Sequence, residues 1–373
     1  MAVEPFVVSF SQSALDDLHD RLSRTRWPDQ IPGSEWEYGF DRGFLQDLCE
    51  YWRTRFDWRA QLENIARVPH YRFDSGGIGI HFIHVRSQHP AATPLLLTHG
   101  WPGSFLEMLP LIPLLRDAFH VVVPSLPGYG FSDRPLRPGM NAFSIAELWV
   151  QLMAELGYSE FGAQGGDLGA GVATALGLRH PEPLLGIHLN FIPGSYRPFL
   201  EPGAVLTADE TEFLNSVARW SERNGGYAHV QRTRPQTAAY GLNDSPAALA
   251  AWILEKFRDW SDCDGDLYRR FSRDDLLTNV TLYWMTETIG SSFRLYFENS
   301  RVPFQLAAGE RVRVPCAIAR FPKEISAPPR SWVDRGYNVQ HWSDLPRGGH
   351  FAAQEEPELL AQDIRSFFSQ LPK

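Results

Sequence analysis

Apolar residues recur at helical spacing in two stretches near the start of the chain, at 13–22 and 44–52. Side chains three and four apart share one face of a helix, so this spacing predicts two amphipathic helices. The segment between them, 27–39, is rich in tryptophan, proline and glycine. Flexible linkers carry few aromatic residues, so we expect this segment to be an extended strap packed on a neighbour. Residues 1–70 are therefore predicted to form an N-terminal helical and strap region.

Beyond residue 70 the pattern changes to short, continuous apolar runs separated by turns and by helical segments such as 145–156. Continuous runs are typical of strands buried on both faces. Their alternation with helices predicts an α/β domain with a mostly parallel central sheet and helices on both faces. The predicted strands are 79–85, 94–98, 120–124, 161–164, 185–190, 312–319 and 339–344.

A long interruption of this rhythm lies at 194–304, where helical patterns replace strand signals. The helical stretches are 207–224, 247–260 and 274–299. Ligands of open α/β sheets bind at the carboxyl ends of the strands, and a helical insertion there commonly covers them. We therefore expect 194–304 to be a helical lid between a first core segment, 71–193, and a second, 305–373.

Composition and charge restrict the class of partner. Of the 373 residues, 43% are hydrophobic and 21% are charged, which is typical of folded soluble proteins. The net charge of -9 and the lack of a long basic run argue against nucleic acid as a partner. We see neither a signal peptide nor an apolar run of about 18 residues, so no membrane anchor is expected. The three cysteines are distant and odd in number, which favours a reducing compartment and predicts a cytoplasmic protein.

The sequence GGDLG at 165–169 directly follows the predicted strand 161–164. Glycines two positions before and after a central residue are typical of a tight strand-to-helix elbow that exposes a nucleophile. Here that residue is Asp167 rather than a serine. A carboxylate is a poor nucleophile towards esters and amides, but it can displace a leaving group at a saturated carbon and form a covalent ester. Asp167 therefore predicts an enzyme that acts on epoxides or alkyl halides.

Release of such an ester requires a water activated by a histidine, which an acid must orient, in the chain order nucleophile, acid, histidine. Of the 12 histidines, His350 is the best placed, because it lies in a glycine-containing loop after the predicted strand 339–344. Glu324 is the first carboxylate after the strand 312–319, and we predict that it is the supporting acid. Asp334 is the alternative, although the segment before it is predicted to open a helix that carries it outward.

The sequence HGWPGS at 99–104 follows the predicted strand 94–98 and brings backbone N–H groups to the carboxyl end of that strand. The anion that forms when water attacks an ester is stabilised by such donors. We predict that the amides of Trp101 and Leu168 form this oxyanion hole.

Together these motifs resemble epoxide hydrolases of the microsomal type, which have the α/β-hydrolase fold. The likeness extends over nearly the whole chain and rests on WEYG at 36–39, HGWPGS at 99–104, GGD at 165–167, LNDSP at 242–246, FPKE at 321–324, RGGHFAA at 347–353 and EEPELLAQDI at 355–364. The resemblance implies hydrolysis of an epoxide to a vicinal diol through a hydroxyalkyl ester on Asp167, with no organic cofactor and no metal. It also implies that two lid tyrosines, Tyr227 and Tyr296, hold and protonate the epoxide oxygen.

Two departures from the family pattern bear on the substrate and the location. Relatives commonly have a tryptophan directly after the nucleophile, where this chain has Leu168, so a wider pocket is expected there. The N-terminal hydrophobic helix of membrane-anchored animal members is not visible, so the chain resembles soluble bacterial members. Soluble bacterial relatives include enzymes of catabolism and of antibiotic assembly. The resemblance therefore implies aromatic, styrene-like epoxides as substrates and a role in bacterial secondary metabolism such as antibiotic biosynthesis.

A haloalkane dehalogenase is the principal alternative, because it also uses an aspartate elbow, a histidine and an acid. Its halide is usually held by an indole directly after the nucleophile, and Leu168 lacks one. A dinucleotide-binding protein is disfavoured, because the run 169–174 lacks the third glycine of the fingerprint. A purely ligand-binding protein is disfavoured, because all parts of the catalytic site are present. The expected partners are a small epoxide and water, and a homodimer is left open.

Overall fold

The computed structural model of the chain describes residues 3–89 and 91–371 and contains one nine-stranded sheet. Its strands are β1 (Val3–Pro5), β2 (His70–Asp74), β3 (Gly79–Val85), β4 (Thr93–Thr98), β5 (Phe119–Pro124), β6 (Phe161–Gly165), β7 (Leu184–Leu189), β8 (Val312–Arg320) and β9 (Tyr337–Asp344). The helices are α1 (Gln12–Ser23), α2 (Arg42–Thr54), α3 (Trp58–Ile65), α4 (Leu111–Leu115), α5 (Ala142–Glu155), α6 (Asp167–Arg179), α7 (Ala208–Asn224), α8 (Gly226–Thr233), α9 (Pro235–Leu242), α10 (Pro246–Trp260), α11 (Arg273–Thr286), α12 (Ile289–Asn299), α13 (Arg330–Asp334), α14 (Ala352–Glu355) and α15 (Pro357–Ser369).

The strands run in the order β1-β2-β3-β5-β4-β6-β7-β8-β9. From β5 through β4 to β9 each neighbouring pair is parallel, whereas β1, β2, β3 and β5 pair antiparallel. Helices cover both faces, because Gly162 of β6 packs against α15 while Gly165 packs against α6. The predicted α/β-hydrolase fold with a mostly parallel sheet is confirmed, and each predicted strand lies within two residues of its expected ends.

The N-terminal region contributes a strand as well as the expected helices α1 and α2. β1 pairs with β2, with Val3 opposite Phe73, at one edge of the sheet. Neither strand was predicted, because β1 has three residues and β2 is largely polar, so neither shows a clear alternation. Trp52 of α2 donates a hydrogen bond from Nε1 to Oγ1 of Thr281 over 2.9 Å. The region is thereby tied to helix α11 of the insertion.

The insertion at 194–304 carries the helices α7 to α12, as the sequence pattern predicts. The prediction of one continuous helix over 274–299 was wrong. Glu287 adopts a left-handed φ of 51° at the end of α11, and α12 begins only at Ile289. The division of the chain at residues 70, 193 and 304 remains a prediction, and the strand β2 begins at the first of these positions.

Three buried cysteines, Cys49, Cys263 and Cys316, carry free thiols. Burial raises the pKa of the Cys49 thiol to about 12, so this side chain packs as a small hydrophobe. Among residues 3–89 and 91–371, no helix combines the length and the apolar character needed to span a membrane.

Candidate active site

Asp167 stands at the turn between β6 and α6, and its backbone has the left-handed φ of 46°. This conformation is unfavourable for a residue other than glycine and is held by the close approach of neighbouring backbone. A Cβ atom on Gly169 would lie 1.9 Å from the carbonyl oxygen of Thr98, and one on Gly100 would lie 2.4 Å from Cβ of Asp167. Both glycines are therefore required for the elbow, which projects the Asp167 carboxylate from the carboxyl edge of the sheet.

The backbone of the HGWPGS segment meets that carboxylate. The amide of Trp101 donates a hydrogen bond to Oδ1 of Asp167 over 2.8 Å. Leu168 is the second residue of α6, so its amide has no acceptor within the helix and is free for an anion. Of the two predicted oxyanion donors, the Trp101 amide thus contacts Asp167, and the Leu168 amide lies at the N-terminus of α6.

Helix α11 fixes this turn from the lid side. Asn279 donates from Nδ2 to the carbonyl oxygen of Pro102 over 2.8 Å and accepts from Oγ of Ser104 at Oδ1 over 2.9 Å. The hydroxyl of Tyr283 donates to the carbonyl oxygen of Gly103 over 2.8 Å. The sequence analysis did not identify Asn279 and Tyr283 as residues that hold this turn. The available signal was the presence of two polar side chains in a largely apolar helical segment.

The predicted histidine and acid lie together beside Asp167. Nδ1 of His350 is 2.7 Å from Oε1 of Glu324, and Nε2 is 3.4 Å from Oδ2 of Asp167. The His350 and Glu324 side chains are 2% and 4% exposed, so solvent screens this contact little. Asp334, the alternative acid, is exposed at the end of α13 and pairs there with Arg330 rather than with His350.

The ionisation of His350 depends on both carboxylates. Burial lowers the pKa of His350, but the charge of Glu324 and hydrogen bonding to Asp167 and Glu324 raise it well above its ordinary value. The net effect is a raised pKa, because two carboxylates offset the loss of solvation. A change in the charge of Asp167 therefore changes the basicity of His350.

The loop that carries His350 is clamped to the lid by backbone and carboxylate contacts. The amide of His350 donates to the carbonyl oxygen of Trp260 over 2.9 Å, and the amide of Gly348 donates to Oδ2 of Asp262 over 2.9 Å. Glu355 accepts in turn from the amides of Asp262 and Phe351. The segment after α10 is therefore a fixed part of the lid that sets the position of His350.

The two tyrosines implied by the family resemblance face the same site from different lid helices. Tyr227 lies on α8 and Tyr296 on α12, with 6.0 Å between their ring centroids. Both contact the Trp101 indole, whose centroid is 5.2 Å from the Tyr227 ring and 5.8 Å from the Tyr296 ring. The structure therefore brings both tyrosines over the turn that holds Asp167.

Both phenols are kept in the protonated form. Burial, assisted by the negative charge of Asp167, raises the pKa of Tyr227. Burial also raises the pKa of Tyr296 well above its ordinary value, with contributions from Tyr227 and Asp167. Protonated phenols are hydrogen-bond donors and are suited to receive an oxygen on which negative charge develops.

Comparison with known proteins agrees with this geometry. Residues 3–108 match the family model for the epoxide hydrolase N terminus, and residues 93–240 match that for the alpha/beta hydrolase fold. A protein of Stigmatella aurantiaca, provisionally named an epoxide hydrolase, is 46% identical over 380 residues, covering 99% of this chain and 85% of its own length. Epoxide hydrolase 1 of Oryctolagus cuniculus is 41% identical over 402 residues, covering 98% of this chain and 88% of its own.

The solved structures similar to this chain include an epoxide hydrolase of Aspergillus niger, with a TM-score of 0.89 and 32% identity over 100% of this chain and 97% of that one. The chain belongs to the epoxide hydrolase family. It is thus a hydrolase, and its predicted enzyme class is confirmed in preference to a haloalkane dehalogenase. The run 169–174 lies within α6, which agrees with the rejection of a dinucleotide-binding turn.

Proposed function

We propose that the chain hydrolyses epoxides in two steps, beginning with attack of Asp167 on a ring carbon. Oδ1 of Asp167 already accepts the Trp101 amide, so Oδ2 is the oxygen that forms the new C–O bond. The ring C–O bond breaks, and its electron pair goes to the epoxide oxygen. Tyr227 and Tyr296 hold that oxygen and supply its proton. The product of this step is a hydroxyalkyl ester on Asp167.

In the second step a water attacks the ester carbonyl. His350, oriented by Glu324, accepts the proton of the water, and the amides of Trp101 and Leu168 stabilise the oxyanion on Oδ1. The protonated His350 returns this proton to the departing alkoxide as the ester C–O bond to the Asp167 carbonyl breaks, and the vicinal diol leaves. The second proton of the water, left on the Asp167 carboxyl group, returns to the phenolate, so the Asp167 carboxylate and the phenol are both re-formed. No metal or organic cofactor takes part in this scheme.

Formation of the ester also prepares His350 for its role. Esterification removes the negative charge of Asp167, which is one of the groups that raise the pKa of His350. The pKa of His350 is then lower, so the imidazole loses its proton more readily. The neutral imidazole can then accept a proton from water. The observation that carries the proposal is the contact of one Asp167 carboxylate with both the Trp101 amide and His350.

The walls of the site favour apolar and aromatic epoxides. Trp260 and Phe191 contact the His350 ring edge-on, with centroids 5.1 Å and 5.6 Å away, and Tyr227 and Trp101 pack against Trp260. Aromatic faces bind flat apolar groups well. Styrene-like epoxides are thus the substrate class that we propose. Four further points remain predictions from the sequence: a role in secondary metabolism, a role in antibiotic biosynthesis, the cytoplasmic location and the homodimer.

The test combines variants that stop different steps, assayed with styrene-like, aliphatic and bulky epoxides and with the chirality of each diol determined. Asp167→Asn is expected to abolish diol formation, with a loss of roughly 10,000-fold or more. His350→Gln is expected to accumulate an adduct equal in mass to enzyme plus epoxide, seen by intact-protein mass spectrometry. Unimpaired diol formation by Asp167→Asn, or the lack of any adduct in His350→Gln with no loss of turnover, would overturn the mechanism.

The tyrosines are tested separately from the nucleophile. Tyr227→Phe combined with Tyr296→Phe should slow ester formation by about 100- to 10,000-fold. Tyr240→Phe is the matched control, because Tyr240 lies on the lid helix α9 with 71% of its surface exposed. Ring opening at the original rate in the double variant would remove the tyrosines from the mechanism.

A further inference from the structure

An ammonium group is buried against the face of one of the two lid tyrosines. Lys256 lies on α10, and only 9% of its side chain is exposed. Its Nζ is 5.1 Å from the ring centroid of Tyr227 and 5.9 Å from that of Trp252. A cation within about 6 Å of an aromatic centroid is attracted by the electron density of the ring face. The contact is therefore a cation–π pair within the lid.

The position of Lys256 is unusual for a lysine. Lysine is almost never fully buried unless it is paired, because loss of hydration is costly for an ammonium. Its ion-pair partner among the described residues is Glu255, the neighbouring residue, whose side chain is 28% exposed. The Lys256 head group is thus placed beside Tyr227 and Trp252 with a single, partly solvated counter-ion.

The other ionisable groups that influence Tyr227 have the opposite effect on a phenolate. Asp167 at the start of α6 and Glu324 after β8 are negative and disfavour negative charge on the Tyr227 oxygen. Tyr296 on α12 is an uncharged phenol beside Tyr227, with 6.0 Å between the ring centroids. Lys256 on α10 adds a positive charge on the ring face. The ammonium of Lys256 thus supports a negative charge on Tyr227 that burial and the two carboxylates oppose.

We infer that Lys256 is a positioning residue for ring opening, which stabilises the negative charge that develops on Tyr227 as this phenol gives its proton to the epoxide oxygen. The inference rests on the proposed function. It also distinguishes the two tyrosines. Tyr227, with the ammonium on its ring, is the proton donor, while Tyr296 donates a hydrogen bond to the epoxide oxygen.

The experiment measures the single-turnover rate of ester formation with styrene oxide in Lys256→Met and Lys256→Arg. Lys256→Met keeps the length of the stem and removes the charge, and we expect ester formation to slow by about three- to thirtyfold. Lys256→Arg keeps the charge and should restore most of the rate. Ester hydrolysis should change by less than twofold in both variants, because attack of water on the ester uses His350 as the base and the phenol regains its proton only afterwards.

A double-mutant cycle separates charge from packing. In the Tyr227→Phe background, Lys256→Met should cause no further loss, because no phenolate forms; in the Tyr296→Phe background it should retain its full effect. Arg258→Met is the matched control on the same helix, because the Arg258 guanidinium lies 4.3 Å from the Trp36 ring centroid in the strap. We expect it to leave ester formation unchanged.

Several outcomes would overturn the inference. An equal loss from Lys256→Met with and without the Tyr227 hydroxyl would show a packing role, and full activity of Lys256→Met would show no role. If the double variant Tyr227→Phe, Tyr296→Phe opens the ring at the original rate, the proposed role of the tyrosines fails. If Tyr227→Phe alone has no effect, or if it slows ester formation while Lys256→Met does not, only the present inference fails. Should Lys256→Met not fold, as judged by thermal unfolding, Lys256→Gln takes its place in the same cycle.

Discussion

The indole of Trp101 lies flat against the phenol ring of Tyr227, with 5.2 Å between the centroids and 7° between the ring planes. The backbone of the same tryptophan donates its amide to Asp167. One residue thus contacts the proposed nucleophile through its main chain and the proposed acid through its side chain. The distance between nucleophile and acid is thereby set through Trp101, which is fully buried.

This relationship predicts different effects on the two steps when Trp101 is changed to phenylalanine. The smaller ring keeps an apolar contact but loses stacking area, so ester formation should slow by roughly two- to tenfold. Ester hydrolysis should change less, because the amide donor is retained. The indole Nε1 has no hydrogen-bond partner, so its removal leaves no polar group stranded. Stopped-flow measurement of both steps checks the split, with Trp36→Phe in the strap as control; an equal loss in both steps would contradict it.

The charge of Glu324 predicts a shift in the pH dependence of ester hydrolysis. Glu324 raises the pKa of His350, so its replacement by glutamine should lower that pKa. The base form of His350 then persists to lower pH, and the acid limb of the hydrolysis rate should move down by about one pH unit or more, with a lower plateau. Single-turnover rates between about pH 5 and 9 test this. The exposed Glu358→Gln serves as control, and an unmoved or raised limb in Glu324→Gln would refute the assignment.

The ion pair between Glu210 and Arg335 predicts a pH-dependent stability. Glu210 is the third residue of α7 and accepts from Nε of Arg335 over 2.8 Å. This hydrogen bond is the main reason that the pKa of Glu210 falls from 4.5 to about 2. Because the folded-state pKa is depressed, the pair stabilises the fold above about pH 4.5, and this stability is lost as the pH falls towards 2. Glu210→Gln should lower the free energy of unfolding at pH 7 by about 2 kcal/mol and flatten its dependence on pH.

Urea unfolding of both proteins across this pH range measures the effect. Glu212→Gln provides the control, because its pair with Arg219 is largely exposed and worth less than about 1 kcal/mol. Parallel pH profiles for Glu210→Gln and the unchanged protein would contradict the prediction.

The elbow predicts a sharp difference between two glycine substitutions in helices. Gly169→Ala would place a Cβ atom 1.9 Å from the Thr98 carbonyl oxygen, a backbone contact that cannot be relieved by a rotamer change. We expect a loss of about 3 kcal/mol or more in stability together with loss of diol formation. Gly241→Ala in α9 meets no atom within 4 Å and should be neutral or stabilising by up to about 1 kcal/mol. Thermal unfolding and diol assays compare them; similar melting temperatures would show that the elbow tolerates a side chain.

The sequence by itself determined the fold class and the identity of the central groups, because these depend on local patterns. Apolar runs marked the parallel strands, and the glycines around Asp167 marked an elbow that only small residues permit. Chain order and loop type selected His350, and proximity to a strand end selected Glu324, which the structure places 2.7 Å from that histidine. The strand β1 was not visible, since its pairing partner lies far along the chain.

Only the tertiary structure decided which side chains surround these groups. The Trp101 stack on Tyr227, the hold of Asn279 on the Trp101–Ser104 turn and the ammonium of Lys256 on the Tyr227 ring join residues that are more than 20 positions apart. No local periodicity encodes such contacts, because they arise when lid helices pack on the sheet edge. The sequence predicts a nucleophile and its base, whereas the packing of the lid helices places Tyr227 and Tyr296 against Trp101 beside them.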